Sequence, residues 1–251
     1  MGPVEFALVG GAAVFGGIVN ALAGGGTLIT FPVLTAVGVP AVAANITNTV
    51  ALCPGYLGGT VAQYDDLQGK RRLWPLGVVS MLGGICGGIV LLLTGEDTFR
   101  LLVPFLILFA SVLLAMQDYV RRWMSRRSGQ SGNVENEALS IIAVGVASVY
   151  GGYFGAGLGV ITMAVLGLAL QDTVTRLNAV KQFISLFANV AAAAFFLFSG
   201  KVVWSVALVM MVCALIGGSL GGRMAGMISP VVLRWIVVTV GLIIAGIYFV
   251  R

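Results

Sequence analysis

The residues best placed to do chemistry in this 251-residue chain are amides, hydroxyls and one lysine, all set inside apolar sequence. Asn178, Lys181, Gln182 and Ser185 follow one another at spacings of 3, 1 and 3, which keeps them on one stripe of a helix. Lys181 falls inside the apolar stretch 175–199, about a turn and a half from its start. An ammonium at such a place costs about 2.5–3.5 kcal/mol on insertion scales, so a bound anion or a watered cavity would compensate it. Snorkelling of the four-carbon stem to the interface is the competing reading. A second group comprises Asn45, Thr47, Asn48 and Thr49, with Asn20 and Thr27 ahead of it. Asn45, Asn48 and Thr49 are at i, i+3 and i+4 and share a helix face. Their NH₂ and OH groups are donors suited to an oxyanion, with no metal or nucleophile required. Polar contact between helices, worth about 0.6 kcal/mol per bond, is the competing reading here.

Each cluster follows a glycine-rich interruption. Residues 23–32 read AGGGTLITFP, and residues 152–163 read GYFGAGLGVITM. Gly24, Gly25 and Gly26 mark the first break; Gly155, Gly157 and Gly159 mark the second. A broken span frees backbone N–H and C=O groups that lipid cannot satisfy, so they must face protein, water or a ligand. The half-helix that restarts after a break carries positive partial charge at its N-terminus. Asn45 comes 18 residues after Thr27, and Asn178 comes 16 after Thr162. Matching interruptions in the two halves of an apolar chain point to a transport site.

Composition dictates the elements that carry these residues. The chain is 59% hydrophobic and 9% charged, against roughly 25% charged in soluble domains, so lipid must solvate it. Its apolar runs are continuous for about twenty residues, which predicts membrane-spanning helices and not alternating barrel strands. There is no histidine, which removes His-based zinc sites, general bases and haem ligation. Carboxylates are almost absent from the predicted spans, Asp118 near a helix end being the exception. An intramembrane enzyme is therefore disfavoured. Cys53, Cys86 and Cys213 are widely spaced and read as small hydrophobes. GAGLG at 155–159 has neither the preceding strand nor the acidic residue of a nucleotide loop. The N-terminal MGPVEFALVGG lacks a basic n-region and reads as a first span.

Apolar length and breakers predict helices near 4–23, 41–63, 72–94, 98–120, 138–154, 175–199, 202–228 and 231–250. Shorter pieces at 27–37 and 158–170 cannot cross about 30 Å of hydrocarbon alone and read as half-helices or re-entrant arms. The predicted fold is an all-α integral membrane protein of about eight spans in two four-helix repeats, each with a glycine-broken half-helix. The first repeat covers 1–120, a basic cytoplasmic linker 121–137, and the second repeat 138–251. Matched across the halves are Gly17 with Gly152, Thr27 with Thr162, Asn45 with Asn178 and Trp74 with Trp204. Gly87-Gly88 matches Gly217-Gly218, and Arg100 matches Arg234. Four crossings per half would make the repeats parallel; an odd count, if the short pieces cross, would invert them. With eight crossings from a cytoplasmic N-terminus, Lys70, Arg71, Arg72, Arg121, Arg122, Arg126, Arg127, Lys201 and Arg251 share the cytoplasmic side.

AGGGTLITFPVL with ANITN downstream, repeated as GAGLGVITM with LNAVK, resembles the TauE/SafE family of sulfite and organosulfonate exporters over essentially the whole chain. That resemblance implies a bacterial or archaeal plasma-membrane carrier of small sulfur-containing or other organic anions, with no bound cofactor. It maps the family motif onto Gly24 to Thr27 with Asn45 to Thr49, and onto Gly155 to Thr162 with Asn178 to Gln182. The expectation is a secondary exporter that binds its anion near the midplane between the repeats, its partners being the anion and the bilayer. No nucleic-acid partner is expected, and a homodimer is left open. A non-transporting membrane assembly or chaperone subunit is the alternative.

Overall fold

A computed structural model describes residues 1–22, 24–67, 73–127, 137–169, 172–223 and 230–250. Among them stand ten α-helices: α1 (Pro3–Leu22), α2 (Thr27–Ala36), α3 (Ala41–Ala62), α4 (Trp74–Thr94), α5 (Glu96–Arg127), α6 (Glu137–Tyr153), α7 (Leu158–Ala169), α8 (Val174–Leu197), α9 (Trp204–Arg223) and α10 (Pro230–Val250). The basic side chains Lys70, Arg71 and Arg72 lie outside the described residues.

Each of the eight predicted spans contains a helix among the described residues, residues 224–228 of the seventh lying outside them, and the short pieces are α2 and α7. Six helices, α1, α4, α5, α8, α9 and α10, are long and apolar enough to cross a membrane. α3 is long enough but carries Asn45, Thr47, Asn48 and Thr49, and all four are buried within the bundle. α5 runs on to Arg127, so the first part of the predicted linker is helical. Glu96 opens α5. Its carboxylate accepts the Ala41 and Val42 N–H groups at 2.5 and 3.0 Å, satisfying two orphan donors of α3. Cys86, read from the sequence as a small hydrophobe, is exposed on α4.

Glycine lets the helices approach to backbone contact. Gly17 of α1 lies against Ala214 and Gly217-Gly218 of α9, and Gly217 against the Val14 carbonyl. In the other half Gly152 of α6 lies against the Gly84 carbonyl, and Gly87 of α4 against that of Val149. A methyl group at any of these four positions would overlap a neighbouring backbone.

Packing partners settle each helix's direction. Gly10 meets Cys213, Gly17 meets Gly218 and Ile18 meets Gly221, so α1 runs parallel to α9. Thr47 meets Val203 and Gly55 meets Gly218, so α3 does too. Gly83 and Gly87 of α4 meet Gly145 and Val149 of α6, while Gly77 and Gly88 meet Phe183 and Phe195 of α8, so these three are mutually parallel. α8 opposes α3, because Asn178 bonds Gln63 while Asn189 bonds the Thr49 carbonyl. α10 opposes α5, with Arg234 on Asp118 at one end and Phe249 on Phe105 at the other.

This differs from the grouping of helix ends expected for eight crossings. α2 turns the chain back after α1, so α3 starts again from the N-terminal end instead of retracing α1. The N-terminus, Lys201 and the last turn of α10 therefore lie opposite the helix ends that flank 68–72, 128–136 and 224–229. Arg176, near the start of α8, and the Arg234–Asp118 pair belong to that second end.

Candidate functional site

Both predicted breaks are real and use the same backbone device. At the end of α1 the Gly24 N–H bonds the Val19 carbonyl at 3.0 Å, with φ +80°. At the end of α6 the Gly155 N–H bonds the Tyr150 carbonyl at 3.2 Å, with φ +76°. A bond of this span closed by a left-handed residue is a helix stop that favours glycine. Gly26 then packs on the Gly16 carbonyl and the Asn20 side chain, which folds α2 back along α1. The second break has another left-handed residue, Gly157 at φ +75°, and a clamp, the Tyr150 hydroxyl donating to the Ala156 carbonyl at 2.7 Å.

The breaks meet. A methyl group built on Gly24 would lie 3.7 Å from the Gly159 Cα, and one on Gly159 would lie 3.4 Å from the Lys181 Cδ. Gly25 packs on Leu114 and Gly157 on Ala110, which puts the junction near the middle of α5's apolar stretch. Phe31 of α2, edge-on to Phe154 at 5.4 Å and to Phe99 at 6.3 Å, locks the two breaks and α5 together.

Lys181 is 4% exposed, and its stem runs along Gly159. Across the junction α2 begins with Thr27, whose hydroxyl accepts from the Asn48 amide at 3.3 Å. Thr30 donates to the Asn48 carbonyl oxygen at 2.5 Å. One side of the junction thus offers a cation and the other a neutral donor network, with two helix N-termini adding positive partial charge.

Other predicted residues make hydrogen bonds within the bundle. Asn45 donates to the carbonyl of Tyr153, the last residue of α6, at 2.8 Å, so it satisfies the break in the opposite half. Thr47 accepts the Val203 N–H at 3.0 Å, next to the start of α9. Thr49 bonds back to the Asn45 carbonyl at 2.9 Å. Asn178 is engaged by Gln63 at 2.9 Å, at the far end of α3. Gln182 abuts Gly59, and its carbonyl accepts from Thr60 at 3.3 Å. The match of Thr27 with Thr162 fails in register: Thr27 opens α2, whereas Thr162 is in the second turn of α7, where Leu158 holds the opening position.

Sequence reading missed Thr30, one turn beyond Thr27, and Asn189, one turn beyond Ser185. Asn189 donates to the Thr49 carbonyl at 3.0 Å and to the Cys53 sulfur at 3.1 Å, tying α8 to α3. Extending each stripe by a turn would have found both. Three buried polar atoms around these elements have no hydrogen-bond partner among the described residues: Asn45 Oδ1, Thr162 Oγ1 and Ser185 Oγ. Such atoms are costly unless water or a ligand meets them.

Residues 9–249 match the model of the family described as sulfite exporter TauE/SafE. The chain is 26% identical to the Sinorhizobium protein ORF9 over 93% of its own length and 88% of that protein's. It is 22% identical to YfcA of Escherichia coli K12 over 84% and 77% of the two lengths. A Haemophilus influenzae relative is 26% identical over 82% and 79%. All three carry the description "probable membrane transporter protein". With six helices able to cross a membrane and a match over nearly its whole length, the chain belongs to the TauE/SafE family of multi-pass membrane transporters.

Proposed function

We propose that this transporter is a secondary exporter of small anions, sulfite and organosulfonates among them, across the plasma membrane of a prokaryote. The observation that carries the reading is Lys181, buried against Gly159 where that glycine meets Gly24. A cation sequestered at the junction of two broken helices attracts an anion far more strongly than in water. Asn48, Thr27 and Thr30 supply hydrogen bonds from the facing half, and the unpartnered hydroxyls of Thr162 and Ser185 are further donors within the same helices. An inside-negative potential drives anions outward by about 2.3 kcal/mol per charge per 100 mV.

The two halves are read as inverted repeats of five helices each, α1–α5 in the first and α6–α10 in the second. Support comes from the equivalent packing of α1 on α9 and α6 on α4, and from the opposed directions of α3 and α8. Basic residues favour one orientation. Lys70, Arg71, Arg72, Arg121, Arg122, Arg126, Arg127, Arg176, Arg223 and Arg234 fall toward one end in chain order; Arg100, Lys201 and Arg251 fall toward the other. The richer end is assigned to the cytoplasm, which leaves the N-terminus outside.

Purified protein in proteoliposomes, assayed for counterflow against sulfite, short alkylsulfonates and carboxylates, tests this reading. Saturable exchange of a sulfur oxyanion is expected. Absence of exchange with every anion tried, in protein that remains folded, would return the chain to the alternative of a membrane assembly subunit.

A further inference from the structure

Away from the glycine junction, a cleft of about 1050 Å³ opens between the end of α2, the start of α5 and the end of α10. That volume is just above the roughly 300–1,000 Å³ typical of small-molecule sites. Its lining is mixed: Glu96 and the exposed Asp97 and Arg100 give it a charged rim, and Leu101, Phe105 and Ile247 are among the residues of the apolar wall. After Arg100 the next charge along α5 is Asp118, so the rim marks the level where the bilayer's polar layer gives way to hydrocarbon.

We propose that this cleft binds a zwitterionic phospholipid bearing a primary ammonium, of the phosphatidylethanolamine type. Glu96 is committed to the α3 N-terminus. Asp97 and Arg100 are exposed and one helical turn apart, so both can reach a single headgroup. Arg100 presents a planar fork to the phosphate, and Asp97 accepts the ammonium hydrogens. With Glu96 so engaged, the rim presents one acid and one base to a headgroup, which matches a zwitterion and not a net-anionic lipid. The acyl chains run down the wall of Leu101, Phe105, Ile247 and Phe249. The site braces α2, because the Thr35 hydroxyl near its end is hydrogen-bonded to Tyr248 in the same cleft, at 2.5 Å. The assignment is independent of the anion reading, since no residue at the glycine junction takes part.

The test titrates delipidated full-length protein in detergent with dihexanoyl phosphatidylethanolamine, phosphatidylcholine and phosphatidylglycerol, with native mass spectrometry as readout. Saturable binding of the ethanolamine lipid is expected, at least fivefold tighter than the glycerol lipid. Arg100→Gln weakens it at least fivefold, Asp97→Asn abolishes the preference over phosphatidylglycerol, and Arg176→Gln at the opposite end changes neither. Thermal unfolding of each variant confirms that these exposed substitutions leave the fold intact. Tightest binding of phosphatidylglycerol to the wild type, or equal binding by wild type and Arg100→Gln, would overturn the assignment and leave ordinary boundary lipid.

Discussion

The two glycine breaks share a backbone and differ in chemistry. Gly24 and Gly155 close their helices with the same bond and nearly the same positive φ. From there they diverge. The first break returns into a helix opened by Thr27 and linked through its hydroxyls to Asn48. The second returns into an apolar helix opened by Leu158, and its polar contribution comes from Lys181 on the next helix. The scaffold also crosses over, since Asn45 of the first half closes the carbonyl left free by the second break. Two similar turns need not have similar surroundings: here they meet in one asymmetric junction, with a lysine on one side and neutral amide and hydroxyl groups on the other.

That asymmetry is open to attack. Lys181→Met retains the stem along Gly159 and removes the charge, and it should have the largest effect. Transport should fall by an amount equivalent to about 2–5 kcal/mol, the loss that follows truncation of one partner in a desolvated charge pair. Lys181→Arg should keep part of the activity. Flux at near wild-type rate in Lys181→Met, measured on folded protein in proteoliposomes, would mean that the lysine does not hold the anion.

Gly24→Ala and Gly155→Ala probe the shared backbone. Each places a side chain in the left-handed region, so each should cost roughly 1–2 kcal/mol of stability. Gly155→Ala should cost the more in denaturant titrations, because its methyl group would also lie 2.9 Å from the Gly151 carbonyl oxygen, whereas one on Gly24 meets nothing nearer than 3.7 Å. A loss confined to one variant would show that only that break depends on its glycine.

Asn48→Leu removes the bonds to Thr27 and Thr30. Stability should drop by only about 0.6 kcal/mol per bond, while anion affinity should fall severalfold. Unchanged affinity with a large stability loss would return Asn48 to a packing role and leave the cation side alone in charge of binding. The smallest effect is expected from Thr162→Val. Its hydroxyl has no partner in the described structure, so stability should stay within about 0.5 kcal/mol. A measurable loss of affinity in the same variant would add Thr162 to the binding face.

The breaks, the half-helices and Lys181 were legible in the sequence because each violates a local rule. Glycine runs interrupt apolar stretches, 10- and 12-residue pieces are too short to span, and a cation stands in hydrocarbon. Partner choice was not legible. Asn45, Asn48 and Thr49 occupy one helix face, yet one serves the opposite break, one serves α2 and one bonds its own helix. Arg234 reads as an isolated end charge until α10 lies along α5 and brings it to Asp118, 116 residues away. The grouping of helix ends differed for a related reason. Whether a short helix counts as a loop or a return decides the direction of every later helix, and hydropathy does not distinguish the two.

Sequence alone therefore determined that this chain dissolves in lipid, is helical, breaks at Gly24 and Gly155 and sets a lysine within an apolar stretch, since composition and local backbone preference govern those properties, whereas its burial came from the packing of α7 on α8. Tertiary structure decided that α1 and α3 run parallel, that the breaks meet at Gly159, and which amides face the junction. Those outcomes depend on which glycine faces allow two backbones to touch, and that is a property of pairs of helices that neither sequence segment carries by itself.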